Sequence, residues 1–200
     1  MYAKEIRCLS RQDPVIGRLI KQKGQWKLKL ETDCWKALCE AIVSQQLSTK
    51  VADVIFKRFK KLGGKHGLPT PRQVVKWKAE RLRAIGLSWQ KISYFKDLAN
   101  RINTSQLIME DLPKLSNEDV IKELVKVKGI GRWTAEMFLI FVLGRLDVLP
   151  ADDLGLQRAI KKVYGLRRWP SPKKVLELGK QWKPYETIAS WYLWKAADQK

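Results

Sequence analysis

The apolar residues of this chain recur at three- and four-residue intervals almost from end to end. After Asp33, the residues Trp35, Leu38, Cys39, Ile42 and Val43 fall on one face, which is the spacing of an amphipathic helix. Ser48 or Thr49 stands where an N-cap is needed ahead of Val51, Val54, Ile55, Phe59 and Leu62, and Gly63-Gly64 closes that helix. Pro71 leads into a short helix near Arg72–Lys78, and Arg81–Ile85, Gly86 and Gln90–Ile102 read as helix, tight turn, helix. Asn117 can cap Glu118–Val127, and a turn at Lys128–Gly131 leads into Trp133–Leu143. Asp152 or Asp153 caps a helix to about Val163, Ser171-Pro172 starts Lys173–Gln181, and Pro184 opens a last helix ending near Ala197. Only Trp26–Leu30 alternates like a strand, and it is too short to build a sheet. The pattern predicts an all-α protein.

Composition narrows what such a protein does. Hydrophobic residues make up 45% of the 200 positions, enough for a folded core. No apolar run reaches the roughly 18 residues of a membrane span, and the N-terminus lacks a signal-peptide core. The chain therefore reads as soluble and intracellular, with no membrane partner. Forty Lys and Arg face twenty Asp and Glu, a formal net charge of +20. Solubility needs a net charge of roughly 2–8, so the excess points to a polyanion. The three cysteines, Cys8, Cys34 and Cys39, are too few and odd in number for a disulfide framework. His66, the only histidine, sits in a Gly-rich turn, so a His/Cys zinc site and a Ser-His-Asp triad are both hard to build.

Candidate chemistry gathers in Val127-Lys-Gly-Ile-Gly-Arg-Trp133 and Leu149-Pro-Ala-Asp-Asp153. Gly129 and Gly131 allow a strained turn and let a ligand approach the backbone. The N-terminus of the following helix offers N–H groups and a positive dipole end, a seat for phosphate. Ile130 is expected to tuck inward and lock the hairpin. Gly86 marks a similar, weaker hairpin. Of the two aspartates, one can cap the next helix while the other points back. A carboxylate beside DNA is repelled by phosphates unless positive charge develops nearby. Cleavage of a base from its sugar generates such charge. Trp133 looks like a buried aromatic. Among nine tryptophans, those near the hairpin or in the last helix are candidates to line a cage for an extruded base.

Leu124-Val-Lys-Val-Lys-Gly-Ile-Gly-Arg-Trp-Thr-Ala135 followed by Leu149-Pro-Ala-Asp-Asp-Leu-Gly-Leu156 resembles the helix-hairpin-helix DNA glycosylases with a Gly/Pro-rich loop and an aspartate, nearest to the 3-methyladenine (alkylbase) type II branch. Ala41-Ile-Val-Ser-Gln-Gln-Leu-Ser48, Trp182-Lys-Pro-Tyr185 and Trp191-Tyr-Leu-Trp194 extend the resemblance over most of the chain. It implies two helical subdomains flanking a cleft: residues 34–150, with the hairpin at 124–135, and residues 1–33 with 151–200. There is no room for the N-terminal α/β domain of some relatives. It implies that Asp153 is catalytic and Asp152 caps, and that Trp133, Met137 and Trp194 line the base pocket. Gly129, Ile130, Gly131, Arg132 and Thr134 hold the DNA backbone. Gln45, Gln46, Leu47 and Ser48 form the loop that wedges the duplex, with the wedging residue itself left open between Gln45, Gln46 and Leu47. A monovalent cation is held by the carbonyls of Val125, Val127 and Ile130, with no other cofactor and no iron–sulfur cluster.

The same resemblance makes the partner damaged double-stranded DNA and the protein a monomer. Trp133 stands where strand-nicking branches carry a lysine, which implies a monofunctional enzyme. Met137 replaces a pocket tyrosine of some relatives, and Glu186 replaces a common arginine, where it is expected to weaken an ion pair or a phosphate contact. Alkylated purines are the expected substrate. The rivals are uracil, hypoxanthine or oxidised guanine with the same chemistry, and a lesion-binding protein without cleavage, against which Asp153 counts.

Overall fold

Helix starts in this chain are set by side chains that take over the orphan N–H groups of a first turn. The computed structural model describes residues 2–197. In it Asp13, Asp33, Ser48, Thr70, Ser88, Ser116, Asp153 and Ser171 each accept a backbone N–H two or three residues on. Thr70 does so in a reciprocal capping box with Gln73. Two sequence expectations shift by one residue. Ser116, not Asn117, is the cap. Asp153, not Asp152, caps the helix that follows it.

The helices in chain order are α1 (Ala3–Gln12), α2 (Pro14–Lys23), α3 (Cys34–Ser44), α4 (Thr49–Lys61), α5 (Pro71–Lys76), α6 (Ala79–Arg83), α7 (Trp89–Asn103), α8 (Asn117–Val125), α9 (Arg132–Phe141), α10 (Leu154–Val163), α11 (Pro172–Gly179) and α12 (Glu186–Ala197). No strand occurs among the described residues, and none of their helices is long and apolar enough to cross a membrane. Trp26–Leu30 keeps its alternation, with Trp26 buried and Lys27 and Lys29 exposed, but has no strand partner. Its register serves to insert Trp26 edge-on against Tyr2, with ring centroids 4.7 Å apart.

The chain divides into two compact units, one over Glu31–Phe138 and the other formed by the residues up to Leu30 together with those from Leu139 on. The sequence reading sets these divisions at 33/34 and 150/151. The second lies earlier because Thr187 of α12 fastens the segment before Pro150. Its Oγ1 donates to the Arg145 carbonyl at 2.8 Å, its N–H donates to the Leu146 carbonyl at 2.9 Å, and it accepts the Val148 N–H at 3.2 Å.

In the Glu31–Phe138 unit, α3, α4, α7 and α8 bury Leu38, Ile42, Phe59, Phe95 and Leu124. Phe59 and Phe95 pack with centroids 4.8 Å apart. Two lysines of α7 act as C-caps for other helices. Lys91 Nζ donates to the carbonyls of Val43 (2.6 Å) and Gln45 (2.7 Å) at the end of α3, and Lys96 Nζ donates to the Val74 and Val75 carbonyls at the end of α5.

The other unit packs α1, α2 and α10–α12 around Leu9, Ile16, Ile160, Trp182, Tyr192 and Leu193. Asp13, only 2% exposed, ties it together. Its Oδ1 caps α2, and its Oδ2 accepts the Trp182 indole N–H at 2.8 Å and the Tyr164 hydroxyl.

Candidate active site

The hairpin between α8 and α9 is built as expected, and its supports come from elsewhere in its unit. Gly129 has φ 79°, and a Cβ there would lie 2.1 Å from the Tyr94 ring. Both the backbone angle and the packing therefore require glycine. Ile130 is buried, and its N–H donates to the Val127 carbonyl at 3.1 Å. The Lys128 N–H donates to Asp97 Oδ2 at 2.9 Å, and the Gln45 side-chain amide donates to the Gly129 carbonyl at 2.7 Å. Sequence reasoning missed Tyr94 and Asp97, because nothing local links α7 to the hairpin. Gly131 has no neighbour near its Cβ position, which leaves the backbone open at the start of α9. Gly131, Arg132 and Trp133 are exposed there, where a first turn carries N–H groups without intrahelical partners.

The side chains of three residues named for the DNA backbone are committed within the protein, Ile130 as expected. The Ile130 side chain is interior. The Thr134 side chain is buried. Arg132 is held by carboxylates, with Nη1 on Glu118 at 3.1 Å and Nε on Glu136 at 3.0 Å. The Arg132 guanidinium, through hydrogen bonding and charge, pulls the Glu118 carboxyl below its ordinary range. Arg132 and Thr134 lie in the first turn of α9, where backbone N–H groups can face a phosphate, whereas the Ile130 N–H is taken by the Val127 carbonyl.

The loop from α3 to α4 divides its residues by role. Gln45 spends its side chain on the hairpin carbonyl, so it fastens the loop. Ser48 caps α4. Gln46 and Leu47 remain at the exposed tip. Gln46 has φ 55°, a left-handed conformation that costs a non-glycine residue about 1 kcal/mol or more and clusters at functional sites. Trp133 is 46% exposed rather than buried. Met137, half-buried and one turn on, lies along the same face of α9. Val125 is the last residue of α8, and the Val127 carbonyl beyond it accepts the Ile130 N–H. Among the described residues no cluster of three or more His, Cys, Asp or Glu could hold a metal ion.

In the other unit, Asp153 caps α10, and one oxygen does two things. Oδ1 accepts the Leu156 N–H at 2.6 Å and the Trp194 indole N–H at 2.8 Å. The expectation that Asp152 caps while Asp153 stands apart is therefore corrected. Asp152 is exposed in the turn, and Asp153, half-buried, is the residue that caps. Trp194 is stacked on Phe141, with centroids 6.1 Å apart and planes 27° apart, so the indole is oriented before any ligand arrives. Gly155 makes the bond fit, because a Cβ there would lie 3.1 Å from Asp153 Oδ1. Glu186 is buried at the start of α12 with one oxygen unpartnered, and burial raises its pKa. The position is interior, so the side chain is withdrawn from the surface.

A helical hairpin with an open N-terminal backbone, a wedge-like loop braced to it, and a capped, indole-bound aspartate describe a helix-hairpin-helix base-excision protein. The chain belongs to the HhH-GPD superfamily of base excision DNA repair proteins, whose profile matches residues 39–184. It is 39% identical to DNA-3-methyladenine glycosylase 1 of Schizosaccharomyces pombe, across 94% of this chain and 85% of that protein. The structure of the S. pombe 3-methyladenine DNA glycosylase in complex with abasic DNA superposes with a TM-score of 0.88 at 36% identity, covering 99% of this chain and all (100%) of that one. The DNA-3-methyladenine glycosidase from Bacillus halodurans superposes with a TM-score of 0.87 at 39% identity, covering 98% of this chain and 89% of that one.

Proposed function

We propose that this protein is a monofunctional DNA glycosylase that hydrolyses the N-glycosidic bond of alkylated purines of the 3-methyladenine and 7-methylguanine type in duplex DNA. The observation that carries the reading is the fixed Asp153 carboxylate, in a chain that aligns over nearly its whole length with 3-methyladenine DNA glycosylases. A charge of +20 draws the duplex in with a steep salt dependence. The backbone at Gly129–Thr134 seats one strand, with a monovalent cation on the carbonyls of Val125, Val127 and Ile130 adding positive charge. Gln46 and Leu47 enter the minor groove and fill the gap left by the extruded nucleotide. Trp133, Met137 and Trp194 receive the base, whose positive charge favours aromatic faces by about 0.5–2 kcal/mol. The protein acts as a monomer, inside the cell.

Alkylation at a ring nitrogen makes the purine cationic and ready to depart. The C1′–N bond breaks, and the electron pair leaves with the base, which becomes neutral. The sugar acquires oxocarbenium character, which the Asp153 carboxylate stabilises. Water adds to C1′, and its proton passes to Asp153 and on to solvent. The products are a free base and an abasic site.

Incubation with methylated duplex DNA, followed by identification of the released bases, tests this. The expected products are 3-methyladenine and 7-methylguanine from the wild type and none from Asp153→Asn, which keeps its affinity for abasic-analogue DNA. Near-normal release by Asp153→Asn would overturn the assignment. Release of uracil, hypoxanthine or oxidised guanine alone would move the substrate. No release of any base, with tight lesion binding, would make it a binding protein. Borohydride traps no covalent adduct if the enzyme is monofunctional, since Trp133 cannot form a Schiff base.

A further inference from the structure

The turn that presents Asp153 has a second support outside the residues assigned so far. Gln157, one helical turn into α10 and only 5% exposed, donates from Nε2 to the Ala151 carbonyl at 2.8 Å. Its Oε1 accepts the Trp169 indole N–H at 2.6 Å. A buried amide is costly unless both ends are bonded. Here one end holds the turn and the other holds a tryptophan from the loop between α10 and α11.

That loop faces outward. Trp169 is 48% exposed, and Arg167 and Arg168 beside it are exposed as well. Among the described residues no ion pair holds either guanidinium, whereas Arg132 is held by two carboxylates. Two uncommitted guanidiniums next to a half-exposed indole suit a phosphate backbone. The placement suits it too. Gln157 lies about 6 Å along the helix axis from Asp153, and duplex DNA carries a phosphate charge about every 1.7 Å of its axis. The bonds from Trp169 to Gln157 and from Gln157 to Ala151 place this loop beside the turn that holds Asp153.

We propose that Arg167–Trp169 is a further DNA-backbone contact, wired to the catalytic turn through Trp169, Gln157 and the Ala151 carbonyl. Phosphate engagement holds the loop in place, the indole N–H fixes the Gln157 amide, and Gln157 fixes the turn two residues before Asp153. Gln157 and Trp169 are positioning residues that touch neither base nor sugar. The coupling rests on Asp153 being the reacting group.

Two variants separate contact from coupling. In Arg167→Ala/Arg168→Ala, binding to a duplex containing an abasic analogue is measured across a salt series. The slope of log affinity against log salt is expected to flatten by about 1–2, or about 0.9 for each phosphate no longer neutralised. Trp169→Phe keeps the ring and both arginines but deletes the N–H. Single-turnover base release is expected to fall about three- to tenfold, with unchanged affinity for the same duplex and a Tm lowered by a few degrees, because the buried Gln157 Oε1 loses its donor. Trp169→His, which keeps a ring N–H, should recover part of the rate. An unchanged salt slope overturns the contact, and an unchanged rate in Trp169→Phe overturns the coupling. If the wild type releases no base, the glycosylase reading fails and the coupling with it, while the salt slope still decides the contact.

Discussion

Replacing Trp194 with phenylalanine separates the two duties of that side chain. The phenyl ring can still stack on Phe141, but the N–H on Asp153 Oδ1 is removed. A hydrogen bond to a charged acceptor contributes about 1.5–3 kcal/mol. Both side chains are only partly buried, which places the loss near the low end, about 1.5 kcal/mol and so about tenfold in rate. The cap from Leu156 N–H remains, so α10 should stay formed. The assay is single-turnover release of labelled base from methylated duplex, alongside affinity for an abasic-analogue duplex. Release should slow about tenfold while affinity stays within about twofold. An unchanged rate would show that the indole N–H does not position the carboxylate. A loss confined to affinity would make Trp194 a wall of the base pocket and nothing more. Gly155→Ala perturbs the same contact from the other side, since its Cβ would crowd Asp153 Oδ1 at 3.1 Å while only touching the Trp194 ring. Its rate should fall in the same direction.

Gln46→Ala should slow base release from duplex about tenfold with little change in affinity for undamaged DNA, whereas Gln45→Ala, which frees the Gly129 carbonyl, should weaken affinity first. The reverse order, read from parallel binding and release measurements, would make Gln45 the wedge. Asp13→Ala removes the α2 cap and strands the Trp182 and Tyr164 donors. The expected cost is about 3–5 kcal/mol, a fall in Tm on the order of 10 °C by thermal melt, and a shift of a degree or less (about 0–1 °C) would refute the network's role. Burial, and then its bond to Asp13, raise the Tyr164 hydroxyl far above its ordinary pKa of 10.0. The folded state thus keeps this proton after the unfolded state has lost it, so the stability is complete below about pH 10 and declines above it. Urea titrations between about pH 9 and 11 should show that decline, and Tyr164→Phe should make it shallower.

Much of this architecture was legible in the sequence because caps and apolar spacing are local. Ser48, Ser171-Pro172 and the glycines of the hairpin each announced an element boundary. The reading missed α1 and α2, although Asp13-Pro14 is a good helix start, because both helices are short and Pro14 interrupts them. Pro184 does not open the last helix, which begins at Glu186. The extended Trp26–Leu30 segment mimics a strand because it packs one face on a core. At the site, the motif letters located Asp153 but assigned the cap to Asp152. Two adjacent aspartates are equally good caps, and only the backbone decides which one is half in the helix. The braces from Tyr94, Asp97, Gln157 and Trp169 were beyond sequence reading. Each joins positions that share no local pattern, and a buried glutamine looks no different from an exposed one.

The double use of Asp153 Oδ1 has a genetic consequence. Asparagine caps a helix as well as aspartate does, yet it cannot balance a positive sugar. If Asp153 carries the proposed chemistry, a change to asparagine gives a copy that folds and binds lesions but releases no base. Such a copy, expressed beside the normal one, occupies damaged sites and hides them from repair. On the proposed role of Asp153, the expected outcome at this position is dominant loss of function, in which half the protein obstructs the other half.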